Sequence, residues 1–145
     1  MPGILVGIDG SGHSQRALEW AAKEAGIRQT SLTVITVNQA VAGFWGGTLK
    51  YAEDSAVTDK AREAAQAETD KVLAALGDAR PASVTVKAIH GYPAEDLIAA
   101  GADADMIVVG SHGAGGWKRA MGSTATKVAH HANVPVLVVP SEHRR

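Results

Sequence analysis

Apolar positions along the chain alternate between two rhythms. Residues 3–9 (GILVGID), 31–37 (SLTVITV), 83–90 (SVTVKAIH), 105–110 (DMIVVG) and 134–139 (VPVLVV) are short aliphatic or β-branched runs. Runs of this kind suit strands covered on both faces, as in a parallel sheet. Between them the spacing becomes helical. Ala17, Leu18, Ala21, Ala22 and Ala25 form one side of a 3.6-residue period and predict a helix over 14–25, with Gly26 as its stop. Val57, Ala61, Ala64, Ala65, Val72, Leu73 and Leu76 predict a second over 53–76, ended by Gly77-Asp78. Tyr92-Pro93 opens a short third helix, with Pro93 suited to its first turn. Ala125, Val128, Ala129 and Ala132 line one face of a fourth, over 123–131. Residues 38–52 carry no period but hold three glycines and the pair Phe44-Trp45, so they read as a long loop. Residues 141–145 are expected to fray.

The order is β-α-β-α-β-α-β-α-β. It predicts an α/β fold, an open doubly wound five-stranded parallel sheet with helices on both faces. A length of 145 residues fits one domain spanning 1–145.

Composition narrows the function classes. Lys plus Arg number 14 and Asp plus Glu 15, so the near-neutral balance gives no footprint for nucleic acid or for an anionic membrane. With no cysteine there is no disulfide, thiolate metal site or cysteine nucleophile. The longest aliphatic run, Val136–Val139, is far short of the ~20 residues that span a bilayer. The first residues lack a basic stretch and reach Asp9 too soon for a signal-peptide core. These features fit a cytoplasmic protein.

In open α/β sheets, ligands sit beyond the carboxyl ends of the strands, where the strand order switches. Two such ends carry unusual residues: Gly7-Ile8-Asp9-Gly10-Ser11-Gly12, and Gly110-Ser111-His112-Gly113 running on to Gly122-Ser123-Thr124. Glycines allow a backbone to approach phosphate closely, and a helix start offers unpaired N–H groups. Ser123 and Thr124 at such a start either donate hydroxyls to phosphate or simply cap the helix. Asp9 has two readings as well. It accepts from a ribose hydroxyl or an adenine amine, or helps hold Mg²⁺; alternatively it is an Asx-turn aspartate serving the next helix. There is no G-x-x-x-x-G-K-[ST] loop, no G-x-G-x-x-G after the first strand and no H-E-x-x-H. His130-His131 are adjacent, so they point to different sides of a helix and make a poor metal site.

The opening VGIDGSGHSQRALEWA and the closing DMIVVGSHGAGGWKRAMGSTATKVAHHANVPVLVVP together resemble the universal stress protein family over nearly the whole chain. The ATP-binding subset of that family carries Gly, two residues, Gly, nine residues, then Gly and Ser or Thr. Gly110, Gly113 and Gly122-Ser123 line up with this pattern, but only eight residues, 114–121, separate Gly113 from Gly122. The resemblance implies a Rossmann-like fold of the adenine nucleotide alpha hydrolase type and a role as an ATP-binding stress-response regulator. It places Asp9 and Val37 at the adenine end with Gly7 close by, and Gly110 and Gly113 beside ribose and phosphates. Gly122, Ser123 and Thr124 would bind phosphate, and Mg²⁺ would travel with ATP. It also implies a homodimer paired through the last strand, which opens at Val134 and closes at Val139; an uncovered apolar edge there would otherwise invite uncontrolled pairing.

The shorter loop keeps two alternatives open: AMP or a cyclic nucleotide as ligand, and a homodimer that binds no nucleotide. Enzymatic ATP hydrolysis has little support, because no arginine finger, water-activating base or two-carboxylate metal site can be placed. Lys118 and Arg119 in the phosphate loop either neutralise charge or are merely solvated. Phe44-Trp45 reads as a lid, as a partner-facing patch or as a loop folded onto the core.

Overall fold

The computed structural model describes residues 3–39, 55–111 and 122–140. Five strands, β1 (Gly3–Ile8), β2 (Ser31–Gln39), β3 (Ser83–Gly91), β4 (Met106–Gly110) and β5 (Val136–Val139), form one parallel sheet of order β3-β2-β1-β4-β5. Four helices connect them: α1 (Gly12–Arg28), α2 (Ser55–Leu76), α3 (Pro93–Ala100) and α4 (Ser123–His131). The strand order reverses between β1 and β4, so the switch point lies there.

Each side of the sheet has its own core. On one side Ile4, Val6, Leu32, Val34 and Val108 pack under α1 and α2, with Ala17, Leu18, Ala21 and Ala25 fully covered. The alanines let α1 sit close, and Leu18 fills the remaining volume. On the other side Leu5, Ile35, Ile107 and Val109 pack under Leu97 of α3 and Val128 of α4. The predicted doubly wound sheet is therefore the observed one.

Several local expectations need correction. Helix α1 begins at Gly12 and runs past Gly26 to Arg28. Gly26 is not a stop: it is buried within the helix, and a Cβ there would collide with the carbonyl of Ala79. Gln29 ends the helix instead, in the left-handed region at φ 52°, and its side-chain Nε2 donates to the carbonyls of Gly26 at 2.8 Å and Arg80 at 3.2 Å. Asn38 and Gln39 belong to β2 rather than to a loop, because they pair with His90 and Gly91 of β3. Helix α2 is described over Ser55–Leu76, residues 53–54 lying outside the described residues, and it continues into a 3-10 turn, Gly77–Ala79. Ala64 and Ala129, expected inside, are exposed, and β5 starts at Val136, two residues later than expected. The remaining loop residues 40–52, with Phe44-Trp45, and residues 141–145 lie outside the described residues. Among the described residues no helix is long and apolar enough to cross a membrane.

Candidate functional site

Asp9 follows β1 directly, and its first action is local. Its Oδ1 accepts from the amide of Ser11 at 2.9 Å and from the Ser11 hydroxyl at 2.6 Å. Gly10, at φ 84°, lets the chain reverse between them. Ser11 is the N-cap of α1, and its Oγ accepts from the Ser14 amide at 3.3 Å. Ser14 is buried; its Oγ accepts from the Asp9 amide at 3.1 Å and donates to the Ser11 carbonyl at 3.2 Å. The Asx-turn reading of Asp9 thus describes the turn. It does not exhaust the carboxylate, since Oδ2 has no hydrogen-bond partner among the described residues.

On the other side of the switch point, Gly110 ends β4 against α1. A Cβ on Gly110 would lie 2.9 Å from the His13 carbonyl oxygen, so only glycine allows this strand end and helix start to touch. The next residue, Ser111, is buried, donates its amide to the Val139 carbonyl at 2.9 Å, and accepts from the Gly122 amide at 2.6 Å. This last bond brings the start of α4 to the end of β4.

The start of α4 contrasts with that of α1. Its N-cap is Gly122, which offers no side-chain acceptor. Ser123 and Thr124 are the first and second helical residues, so neither caps, against the capping alternative raised by the sequence. Thr126 donates both its amide and its hydroxyl to the Gly122 carbonyl, at 3.0 and 2.9 Å. Among the described residues, the amides of Ser123, Thr124 and Ala125, at the positive end of the helix, receive no side-chain cap. Ser123 is exposed and Thr124 half-buried.

Gly7 and Val37 are placed differently from each other. Ile8 pairs with Thr36, so Val37 stands level with Asp9 on the neighbouring strand. Val37 also packs on the core beneath α3 and α4. Gly7 is a packing glycine, since a Cβ there would come within 2.7 Å of a Leu97 methyl. The structure therefore brings Asp9, Val37, Gly110, Gly122, Ser123 and Thr124 to one end of the sheet. Gly113, residues 114–121, Lys118 and Arg119 lie outside the described residues.

One residue here was missed by sequence reasoning. Burial of Glu68 on α2 pushes its carboxyl above the usual carboxylate value; the Asp9 carboxylate adds to this and Lys71 offsets it. A second acidic group thus lies within electrostatic reach of Asp9. Its signal was its spacing: Glu68 falls three residues after Ala65 and four before Val72, inside the apolar stripe. Among the described residues no group of three or more His, Cys, Asp or Glu could hold a metal ion.

The family model described as the universal stress protein family matches residues 2–140. The chain belongs to this family. A universal stress protein from Mycolicibacterium smegmatis is 34% identical over 139 residues, covering 94% of this chain and 47% of that protein. The chain spans about half the length of the curated universal stress proteins it matches. Among solved structures, the universal stress protein UspA from Lactobacillus plantarum aligns with a TM-score of 0.72 at 24% identity, covering 95% of this chain and 97% of that one. A universal stress protein in complex with cAMP aligns with a TM-score of 0.61 at 26% identity, covering 97% and 98%.

Proposed function

We propose that this universal stress protein binds an adenine nucleotide across the carboxyl ends of β1 and β4 and acts as a nucleotide-dependent stress-response regulator in the cytoplasm. The observation that carries the reading is the start of α4. Among the described residues its three leading amides have no side-chain cap, they lie at the positive end of the helix, and the Gly122–Ser111 bond holds them near the end of β4. A phosphate supplies the missing acceptors. Asp9 Oδ2 and the Val37 backbone form the adenine end, Gly110 and Gly113 border the ribose and phosphates, and Ser123 and Thr124 add hydroxyls. ATP is the first ligand proposed. The acidic groups at hand, Asp9 and Glu68, are too few for a protein-held metal cage, so Mg²⁺ enters on the phosphates.

A monophosphate or cyclic nucleotide is the second reading. It is favoured by the eight-residue separation of Gly113 from Gly122 and by the cAMP complex of the 26%-identical relative. We also propose a homodimer through β5 and the residues leading into it from Val134. β5 is an edge strand whose Val136, Leu137 and Val138 are half-buried within one chain, which leaves apolar surface for a partner strand.

The test is to denature the purified protein and identify the released nucleotide by chromatography and mass. ATP or ADP near stoichiometry supports the first reading, and AMP or a cyclic nucleotide the second. An empty protein that also fails to bind added ATP with Mg²⁺, AMP and cAMP overturns both.

A further inference from the structure

The end of the sheet opposite the nucleotide site is built differently. Helix α3 is 8 residues long. A cavity of about 110 Å³ opens at that end of the sheet. Leu5 and Ile35, with Ala100 and Ala104 from the end of α3 and its following turn, give it an apolar lining. Strand register sets the polar groups beside them: Leu5 pairs with Thr33, Ile35 with Lys87, and Gly3 with Ser31. Gly3 makes room for the Ser31 hydroxyl, which a Cβ would displace. Asp103 comes from the turn after α3. That turn is pinned by the Asp105 amide donating to the Gly3 carbonyl at 2.8 Å and the Ala104 amide to the Gly101 carbonyl at 3.0 Å.

The side chains of Ser31, Thr33, Lys87 and Asp103 all line this cavity, and among the described residues none has a hydrogen-bond or ion-pair partner. Lys87 stands on β3 level with Gly7, and Asp103 lies beside the start of β1, so their backbones are roughly 10 Å apart across the sheet and roughly 13 Å along it, a span that the long lysine side chain shortens. The carboxyl end of α3 adds its negative pole to the Asp103 side. The walls are therefore cationic on one side and anionic on the other, over an apolar floor. A lone anion meets Asp103 and a lone cation meets Lys87; a molecule carrying both charges satisfies each. The volume is below the ~300 Å³ of drug-sized sites and close to a cavity that holds one small ring.

We propose that this cavity binds a small zwitterion with a short aliphatic skeleton, an amino acid between alanine and valine in size. Its carboxylate lies on Lys87, its ammonium on Asp103 and the end of α3, and its side chain against Ala100 and Ala104, above the covered Leu5 and Ile35. The site is independent of the nucleotide reading. An amide-resolved NMR titration of the full chain with L-alanine and L-valine tests it, with acetate and methylamine as single-charge probes. The expected result is saturable shifts at Ser31, Thr33, Lys87 and Asp103, with a Kd on the order of millimolar for so few ligand atoms. Lys87→Gln and Asp103→Asn each weaken binding at least fivefold, and both residues are exposed, so the melting temperature is unchanged. No saturable shift in the unaltered chain overturns the site without reference to any variant. Acetate or methylamine binding there as tightly as alanine overturns the zwitterion class, and undiminished binding in both variants overturns the placement.

Discussion

The two helix starts that flank the switch point have opposite chemistry. At α1, Ser11 caps, Asp9 accepts from Ser11, and the buried Ser14 hydroxyl ties both to the strand end. Most of that turn's polar groups close on one another. At α4 the cap is a glycine, and among the described residues no side chain caps the first amides. In the sequence the two carry the same pair of readings, a group that meets a ligand or a local cap. The difference is decided by which residue falls at the N-cap itself. Serine there satisfies the helix internally, whereas serine one position later leaves the helix pole open and adds a hydroxyl beside it.

This contrast can be broken from either side. The largest effect is expected for Gly110→Val, which drives a branched side chain into the His13 carbonyl and separates β4 from α1. Thermal unfolding should show a loss of about 1–3 kcal/mol. Next, Ser14→Ala strips the Asp9 amide of its acceptor and should cost about 1–2 kcal/mol by denaturant titration. Ser123→Ala should do the reverse: less than about 0.5 kcal/mol in stability but about tenfold in ATP affinity by calorimetry, the value of one charge-assisted hydrogen bond. Equal stability losses at Ser14 and Ser123 would erase the distinction between the two starts.

The smallest effect belongs to Glu68. Its folded-state pKa is raised, so the native state holds a proton the unfolded chain has released, and Glu68 lowers stability as pH rises from the unfolded value through the folded one. Glu68→Gln should therefore stabilise the protein at pH 7 by a few tenths of a kcal/mol, given the partial exposure of this group. The gain should disappear below about pH 4, where both states are protonated. Melting temperatures at the two pH values check this.

Much of the fold is legible because its period is strong. The limits of α4 and the alternation of strands and helices follow from apolar spacing alone, and α4 spans the predicted 123–131. What local sequence cannot show is what other segments impose. Helix α1 passes through Gly26 because that glycine packs on Ala79, and it ends at Gln29 because side-chain bonds to Gly26 and Arg80 hold a left-handed residue. Asn38 and Gln39 extend β2 because β3 is there to pair with them. At the site, Asp9, Gly110 and Gly122 are identifiable from strand ends and glycine spacing. Gly7 also stands out, but the structure gives it a packing role under Leu97. Ser14 and Glu68 were less visible, since a buried hydroxyl and a half-buried carboxylate disclose their partners only once α1 and α2 are packed.

The central claim is that the open start of α4 receives phosphate. The most direct measurement is calorimetric binding of adenosine, AMP, cAMP and ATP to the same protein at one ionic strength. The account predicts that at least one phosphorylated ligand binds ten times or more tighter than adenosine, and that Ser123→Ala narrows the gap. Equal affinity for adenosine and for all three nucleotides, or no binding by any of them, would contradict it.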